Sequence, residues 1–376
     1  MKNHRVALQQ RVLAAYRTPF FDALGKACDG ELAVFAGLPR PEESIATAST
    51  LQEAQFTPGW NIHILRGALY FYFQRGLRDW IKHWDPHALI VEANPRNLST
   101  PAAIRWMKQR RRPVIGWGLG APQITGALGS LRASRRAAFL KQFDALLTYS
   151  QRGADEYSAL GYPVDNIFIA PNAVARRPEG PAPTRPADFN GKPSLLFVGR
   201  LQRRKRVDLL LQACAYLPPG IQPRLVIAGD GPERTALEAL AARVYPAAEF
   251  TGARHGPQLA AYFLAADLFV LPGTGGLAVQ EAMAWGLPVV MGEGDGTNDD
   301  LVRPGNGWQL STLPGGAWQT PGALAAILDE ALSDVPRLRR MGEESYRIVT
   351  EEINVEKMVA VFMDALERVT SIGTRK

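Results

Sequence analysis

Leu271-Pro272-Gly273-Thr274-Gly275-Gly276-Leu277-Ala278-Val279-Gln280-Glu281-Ala282-Met283-Ala284-Trp285-Gly286-Leu287-Pro288-Val289-Val290 reads as the end of a strand, a glycine-rich loop, a helix beginning near Leu277 and a further strand after Pro288. The unpaired amides at the start of that helix, with the favourable end of its dipole, form a receptor for phosphate oxygens. Gly273, Gly275 and Gly276 let a ligand approach the backbone. Glu281 lies about one turn into the helix, where its carboxylate can accept hydrogen bonds from both hydroxyls of a ribose. Taken alone, a glutamate in a first turn more often serves the helix dipole or solvent.

Outward from this stretch, short apolar runs alternate with stretches of helical period, the pattern of parallel strands covered by helices on both faces. The expected fold class is therefore α/β. Strands are predicted at residues 195–198, 224–228, 248–250, 268–271 and 289–291 in the second half. The first half offers strands at 88–92, 113–116 and 145–149, helices at 101–109 and 134–142, and a strand and helix at 5–8 and 19–27. Between them, residues 171–193 are rich in proline, which lacks the amide donor and fixes φ. This places a linker at 176–192, between a first domain at 1–175 and a second at 193–355. A last helix from residue 356 sets Met358, Val361, Phe362, Ala365, Leu366 and Val369 on one face to be buried, and residues 356–376 are expected to pack back on the first domain.

A chain of 376 residues exceeds what one core usually holds. Its 46% hydrophobic and 21% charged residues match a globular protein and exclude a disordered one. The excess of 43 Lys+Arg over 36 Asp+Glu, a net +7, favours acidic partners such as nucleotides or anionic lipid, and nucleic acid has no supporting motif here. With only Cys28 and Cys214 there is no disulfide framework or metal-ligand spacing, and a reducing cytoplasm is expected. Gln9, Gln10 and Arg11 interrupt the first segment where a signal peptide needs an apolar core. No run approaches the roughly 18 apolar residues of a spanning helix.

The strand at 195–198 runs into Gly199-Arg200-Leu201-Gln202-Arg203-Arg204-Lys205-Arg206. Open α/β sheets bind ligands at the carboxyl ends of their strands, and a cation cluster there suits a diphosphate. Arg200 can fork onto phosphate oxygens while Lys205 supplies a mobile point charge. A solvated basic turn explains the charges equally well. Gly229-Asp230-Gly231-Pro232 lacks the third glycine of a dinucleotide fingerprint, and Gly116-Trp117-Gly118-Leu119-Gly120-Ala121 has the wrong spacing. Both read as structural turns.

Taken in order, Gly199-Arg200-Leu201 with Lys205, Ala228-Gly229-Asp230-Gly231-Pro232, Phe250-Thr251-Gly252, Ala266-Asp267-Leu268, and Glu281-Ala282-Met283-Ala284 with Gly286-Leu287-Pro288-Val289-Val290 resemble retaining glycosyltransferase family 4, the group 1 glycosyl transferases. The resemblance covers residues 193–310. Before the linker it is confined to the strand pattern, Tyr149-Ser150 and Pro171-Asn172. It implies a GT-B fold, two facing Rossmann-like domains with a cleft between them, the acceptor on the first and the nucleotide sugar on the second. It implies transfer with retention of configuration, no metal and no cofactor, the nucleotide-diphosphate sugar being a co-substrate. Arg200 and Lys205 correspond to the family's positive pair that stabilises the leaving nucleoside diphosphate. Glu281 corresponds to its ribose-binding glutamate. Gly199, Gly275, Gly276 and Leu277 would border the diphosphate, and Arg254 would lie near the base.

One departure stands out. The family commonly carries a second glutamate seven residues before the first, and here that position is Gly273. A histidine often found in the first domain's cleft also has no counterpart in Gly116–Gly120, and no catalytic base is assigned.

Lys108 with Arg110, Arg111 and Arg112, and Arg132 with Arg135, Arg136 and Lys141, offer basic surfaces for anionic lipid near a lipid-linked acceptor, or simply solvated helix faces. Leu69-Tyr70-Phe71-Tyr72-Phe73, read as helical, is expected to be core rather than a membrane surface. The leading expectation is a glycosyltransferase of cell-surface polysaccharide or glycoconjugate assembly, cytoplasmic or peripheral at the inner membrane face. The competing expectations are a nucleotide-sugar epimerase on the same architecture and a non-catalytic nucleotide-sugar-binding module.

Overall fold

The computed structural model describes residues 4–43, 45–122, 129–189, 191–275, 277–292, 298–310 and 320–373. The chain divides into two compact units, one of residues 1–176 and 355–376, the other of residues 177–354.

The first unit opens with β1 (Val6–Val12), α1 (Thr18–Ala27) and β2 (Leu32–Gly37), followed by β3 (Gln55–Pro58). A two-stranded antiparallel ribbon comes next, β4 (Trp60–Ile64) and β5 (Phe71–Arg75). The unit continues with α2 (Leu77–Trp84), β6 (Ala88–Glu92), α3 (Thr100–Lys108) and β7 (Val114–Gly118). It then runs through α4 (Gly129–Leu140), β8 (Ala145–Thr148), α5 (Gln151–Ala159) and β9 (Ile167–Ile169). Its main sheet is parallel, in the order β3-β2-β1-β6-β7-β8-β9.

Both faces of this sheet are covered, so its central strands carry short continuous apolar runs, such as Val6–Leu8 and Ala88–Val91, rather than alternating ones. Val6 and Leu8 of β1 join the core beneath α1, whereas Ala7 between them joins the core beneath α2 and α3. A Ser150 hydroxyl caps α5 by accepting from the Gly153 amide at 3.2 Å. Ser150→Ala is expected to cost about 1 kcal/mol, the usual value of such a cap, read as a lowered urea midpoint with unchanged m-value.

The second unit begins with a proline-rich segment that is fastened to it. Arg185 donates to the carbonyls of Phe263, Leu264, Ala266, Trp285 and Gly286, and Tyr346 donates to Gly180 O at 2.8 Å. Then come β10 (Ser194–Val198), α6 (Val207–Tyr216), β11 (Arg224–Ala228), α7 (Arg234–Val244) and β12 (Glu249–Gly252). They are followed by α8 (Pro257–Ala265), β13 (Leu268–Leu271), α9 (Leu277–Ala284) and β14 (Val289–Met291). The unit closes with α10 (Asn298–Leu301), β15 (Gly307–Gln309), α11 (Pro321–Ser333) and α12 (Val335–Glu351). The guanidinium of Arg185 thus neutralises the carbonyl-rich ends of α8 and α9 together. The sheet order is β12-β11-β10-β13-β14-β15, all parallel.

The last helix, α13 (Val355–Gly373), belongs to the first unit. Its Phe362 ring meets those of Phe20 and Trp117, each at 4.9 Å between centroids, and Met358, Ala365 and Leu366 are fully buried beside it. Among the described residues no helix is long and apolar enough to cross a membrane.

The aromatic run 69–73 departs from its expected form. It lies in the β4–β5 ribbon, where Tyr72 is buried and Phe71 and Phe73 are exposed. The period of two, not a helical period, governs these residues, because aromatic side chains of both parities hid the alternation.

Candidate functional site

In both sheets the strand order reverses beside the first strand, at β1/β6 in one unit and at β10/β13 in the other. Crossovers leaving to opposite sides open a crevice there at the carboxyl ends of the strands. In the second unit this crevice is bordered by the loop after β10 and the loop after β13, which carry most of the expected site residues.

The two loops are bonded to each other. The Thr274 amide donates to Arg204 O at 2.9 Å, and Lys205 Nζ donates to Thr274 O at 2.7 Å. Lys205 is half-buried, and burial, with the charge of Arg204 adding, lowers its ammonium from the ordinary 10.5 to about 8. Gly275, in the left-handed region at φ 143°, passes so close that a Cβ there would lie 2.3 Å from Lys205 Nζ. Leu277 is the first residue of α9, and Gly276 lies outside the described residues.

Arg200 is exposed at the end of β10, and its guanidinium makes no hydrogen bond or ion pair among the described residues. Its neighbour Gly199 donates to Ala228 O at 3.0 Å, and the Leu201 amide donates to Asp230 O at 2.9 Å. The turn after β11 is glycine for a steric reason: a Cβ at Gly229 would lie 1.9 Å from Gly199 O. Gly229 in turn donates to Gly252 O at 2.9 Å, so the loops after β10, β11 and β12 are knitted side by side.

Glu281 sits on α9 and reaches solvent. Partial desolvation lifts its carboxyl above the ordinary carboxylate range, opposed by the charge of His255. Arg254, next to that histidine, is partly buried, and its Nε is without a partner among the described residues. Sequence reading missed His255 and the Thr274 carbonyl. His255 lies outside the motifs, and Thr274, though inside the glycine-rich loop, contributes a backbone carbonyl that its side chain does not reveal; each acts because the chain returns to the same crevice.

Gly273 is explained by packing. A Cβ there would lie 2.1 Å from Arg204 O and 2.5 Å from the carbonyl carbon of Lys205. In this chain the loop after β10 occupies the space in which a side chain at 273 would start.

The family model described as Glycosyl transferases group 1 matches residues 184–348. The match lies within the second unit and covers less than half of the chain. The chain is 39% identical over 166 residues to a GDP-mannose-dependent alpha-mannosyltransferase of Mycobacterium tuberculosis, a match covering 43% of this chain and 39% of that protein. It is 33% identical over 223 residues to a D-inositol 3-phosphate glycosyltransferase of Thermobispora bispora, covering 54% and 49%. The chain thus spans half or less of the length of these relatives. Among solved structures, the fold resembles HepE of Anabaena, solved with UDP and glucose, with a TM-score of 0.64 and 16% identity over 97% of this chain and all of that one. It also resembles the sucrose-phosphate synthase of Thermosynechococcus elongatus, with a TM-score of 0.65 and 19% identity over 98% and 99%. The group 1 segment accordingly forms one of two Rossmann-like units of a GT-B fold.

The lowered Lys205 ammonium has a measurable consequence. A diphosphate beside it favours the charged form, so binding near pH 8 draws a proton onto the amine, and affinity should fall as pH rises from 7 to 9. Titration calorimetry in buffers of different ionisation enthalpy should show proton uptake at pH 8 that disappears in Lys205→Met. Uptake that persists in that variant would place the titrating group elsewhere.

Proposed function

We propose that this protein is a metal-independent glycosyltransferase that takes a sugar from a nucleoside-diphosphate donor held by the second unit and passes it to a glycan or lipid-linked glycan, with retention of configuration. The observation that carries the reading is the convergence of Lys205 and the start of α9 at the crevice between β10 and β13, with Arg200 free at the same sheet edge. Two cations and a row of amides suit a diphosphate that gains negative charge as it leaves.

In this reading the diphosphate oxygen departs from the anomeric carbon and the acceptor hydroxyl oxygen bonds to the same face. The hydroxyl proton passes to a leaving phosphate oxygen, a route that asks for no carboxylate at Gly273. Glu281 holds the ribose hydroxyls, the amides at Gly275, Gly276 and Leu277 and the turn at Gly199 border the diphosphate, and Arg254 lies near the base. The nucleotide sugar is the co-substrate, with no further cofactor. Both cysteines are buried and free, which suits a reducing compartment such as the cytoplasm.

A thermal-shift series with GDP, UDP and ADP tests the donor site, since the mannosyltransferase relative takes a guanosine donor and HepE was solved with UDP. A matching nucleotide at 100 times its dissociation constant should stabilise by about 2.7 kcal/mol. Glu281→Ala should weaken that nucleotide tenfold or more, about 1.4 kcal/mol, with little change in apo stability. No response to any nucleotide would overturn the reading.

A further inference from the structure

The β4–β5 ribbon is built inside out. Its inward face carries Asn61, His63, Tyr72 and Gln74, all bonded: Asn61 Nδ2 donates to Arg11 O at 2.7 Å, Tyr72 OH to Glu92 Oε2 at 2.7 Å, and Gln74 Nε2 to Gln10 O at 3.0 Å. His63 Nδ1 lies 2.8 Å from the Tyr70 hydroxyl. Its outward face carries Trp60, Ile62, Ile64, Phe71 and Phe73, all exposed, with Trp60 at 70%. Ile62 pairs across the ribbon with Phe73, and Ile64 with Phe71, so these side chains form one continuous apolar surface.

An antiparallel ribbon folding for its own stability turns its apolar face to the core and its polar face to water. Here the reverse holds, and the tip extends the surface with Leu65 and Leu69, exposed at 62% and 66%. Leu65 sits at φ 58°, in the left-handed region that glycine or asparagine occupies more readily. A bulky apolar residue held exposed and in a disfavoured conformation marks contact with something outside the chain.

The charge pattern says what that is. From Gln55 to Arg78 the chain contains no carboxylate, while Arg66 lies at the tip and Arg75 stands opposite Trp60 on the apolar face. Neither arginine makes an ion pair among the described residues. By contrast, the basic α3 region is engaged with its surroundings: Lys108 pairs with Asp144 at 2.6 Å, Arg112 pairs with Asp85, and Arg110 lies 4.0 Å over the Trp106 ring. A glycan would need several donors and acceptors, and the outward face offers only the Arg75 guanidinium and the Trp60 indole N–H, with no side-chain acceptor. A second copy meeting face to face would bring four arginines into one interface with no carboxylate from either ribbon to offset them. Exposed Trp, Phe, Ile and Leu with unpaired arginines and no acid match the interface of an anionic bilayer, where aromatic rings sit among headgroups and cations meet lipid phosphates.

We propose that the outward face of the β4–β5 ribbon docks this protein on anionic lipid bilayers. The proposal is independent of sugar transfer, since it needs neither donor nor acceptor.

The test is co-sedimentation of the full chain with vesicles of phosphatidylcholine, with and without about one third phosphatidylglycerol, the anionic lipid giving the surface a negative potential. The expected result is binding to the anionic vesicles, reduced tenfold or more in Trp60→Ser/Phe73→Ser and comparably in Arg66→Gln/Arg75→Gln. Leu264→Ser, an equally plain exposed leucine in the second unit, should bind as the parent does. Lipids brominated in the acyl chain should quench the parent's fluorescence and quench Trp60→Phe less. Circular dichroism of each variant, with its nucleotide thermal shift, verifies folding. Equal sedimentation of the parent and both ribbon variants would overturn the proposal. So would absence of vesicle binding together with dimerisation that the same variants abolish, which would assign the face to a second copy.

Discussion

Alanine at Lys205 is expected to lower turnover by about 10² to 10³-fold, the usual effect of deleting one preorganised charge from a developing anion. The fold should tolerate the change. Lys205 Nζ is bonded to the Thr274 carbonyl in a loop, and no core contact depends on it. Arg200→Ala should act in the same direction with even less effect on stability, because the guanidinium is exposed and supports no neighbour. Single-turnover rates with saturating donor, set against urea unfolding curves, separate the chemical effect from folding. Since the two cations meet one diphosphate, the double variant should lose less than the product of the single losses. Unchanged turnover in both single variants would remove the second-unit crevice from the chemistry.

The second expectation runs against the logic of completing a motif. Gly273→Glu supplies the carboxylate that the family commonly carries, yet activity should fall by about 10²-fold or more rather than rise. The new Cβ would start 2.1 Å from Arg204 O, and both partners are backbone. The turn at 203–205 must therefore shift, taking Lys205 off the Thr274 carbonyl, and displacement of about 1 Å at a reacting centre is enough for such a loss. Overpacking of this kind also costs about 1–3 kcal/mol of stability. Gly273→Ala brings the same collision without the charge and should fall nearly as far. A Glu variant more active than the parent would show that the turn yields and that the missing carboxylate, not the packing, limits this chain.

Much of the second unit was legible because each strand is a short unbroken apolar run that ends in glycine or proline. The strands at 224–228, 268–271 and 289–291 begin and end where expected, and the one expected at 195–198 begins one residue earlier, at Ser194. In the first unit, polar residues blurred the ends. β1 continues four residues past Leu8 through Gln9, Gln10 and Arg11, because the two glutamines are buried in hydrogen bonds, Gln9 with Gln74 and Gln10 with a backbone carbonyl. α4 starts at Gly129 rather than 134, since Gly129 and Ser130 are weak helix formers and mask the start of the helical period. At the site, Arg200, Lys205 and Glu281 were visible as charges at the ends of elements. The reason for glycine at 273 was not, because the atoms that forbid a side chain there come from residues about seventy positions earlier. The electrostatic influence of His255 on Glu281 was hidden in the same way.

The helix α13 gives the chain an unusual order of assembly. Most of the first unit is synthesised before the second, but Phe362, the ring that closes the stack of Phe20 and Trp117, is synthesised after it. The join is fixed by the Val355 amide donating to Ala175 O at 3.0 Å, so the chain leaves and re-enters this unit at one place. On the ribosome the second unit therefore has all its residues before the first does, reversing the usual N-terminal-first sequence of domain folding. Until α13 emerges, the nascent first unit must carry an open aromatic groove at Phe20 and Trp117 that Phe362 later fills.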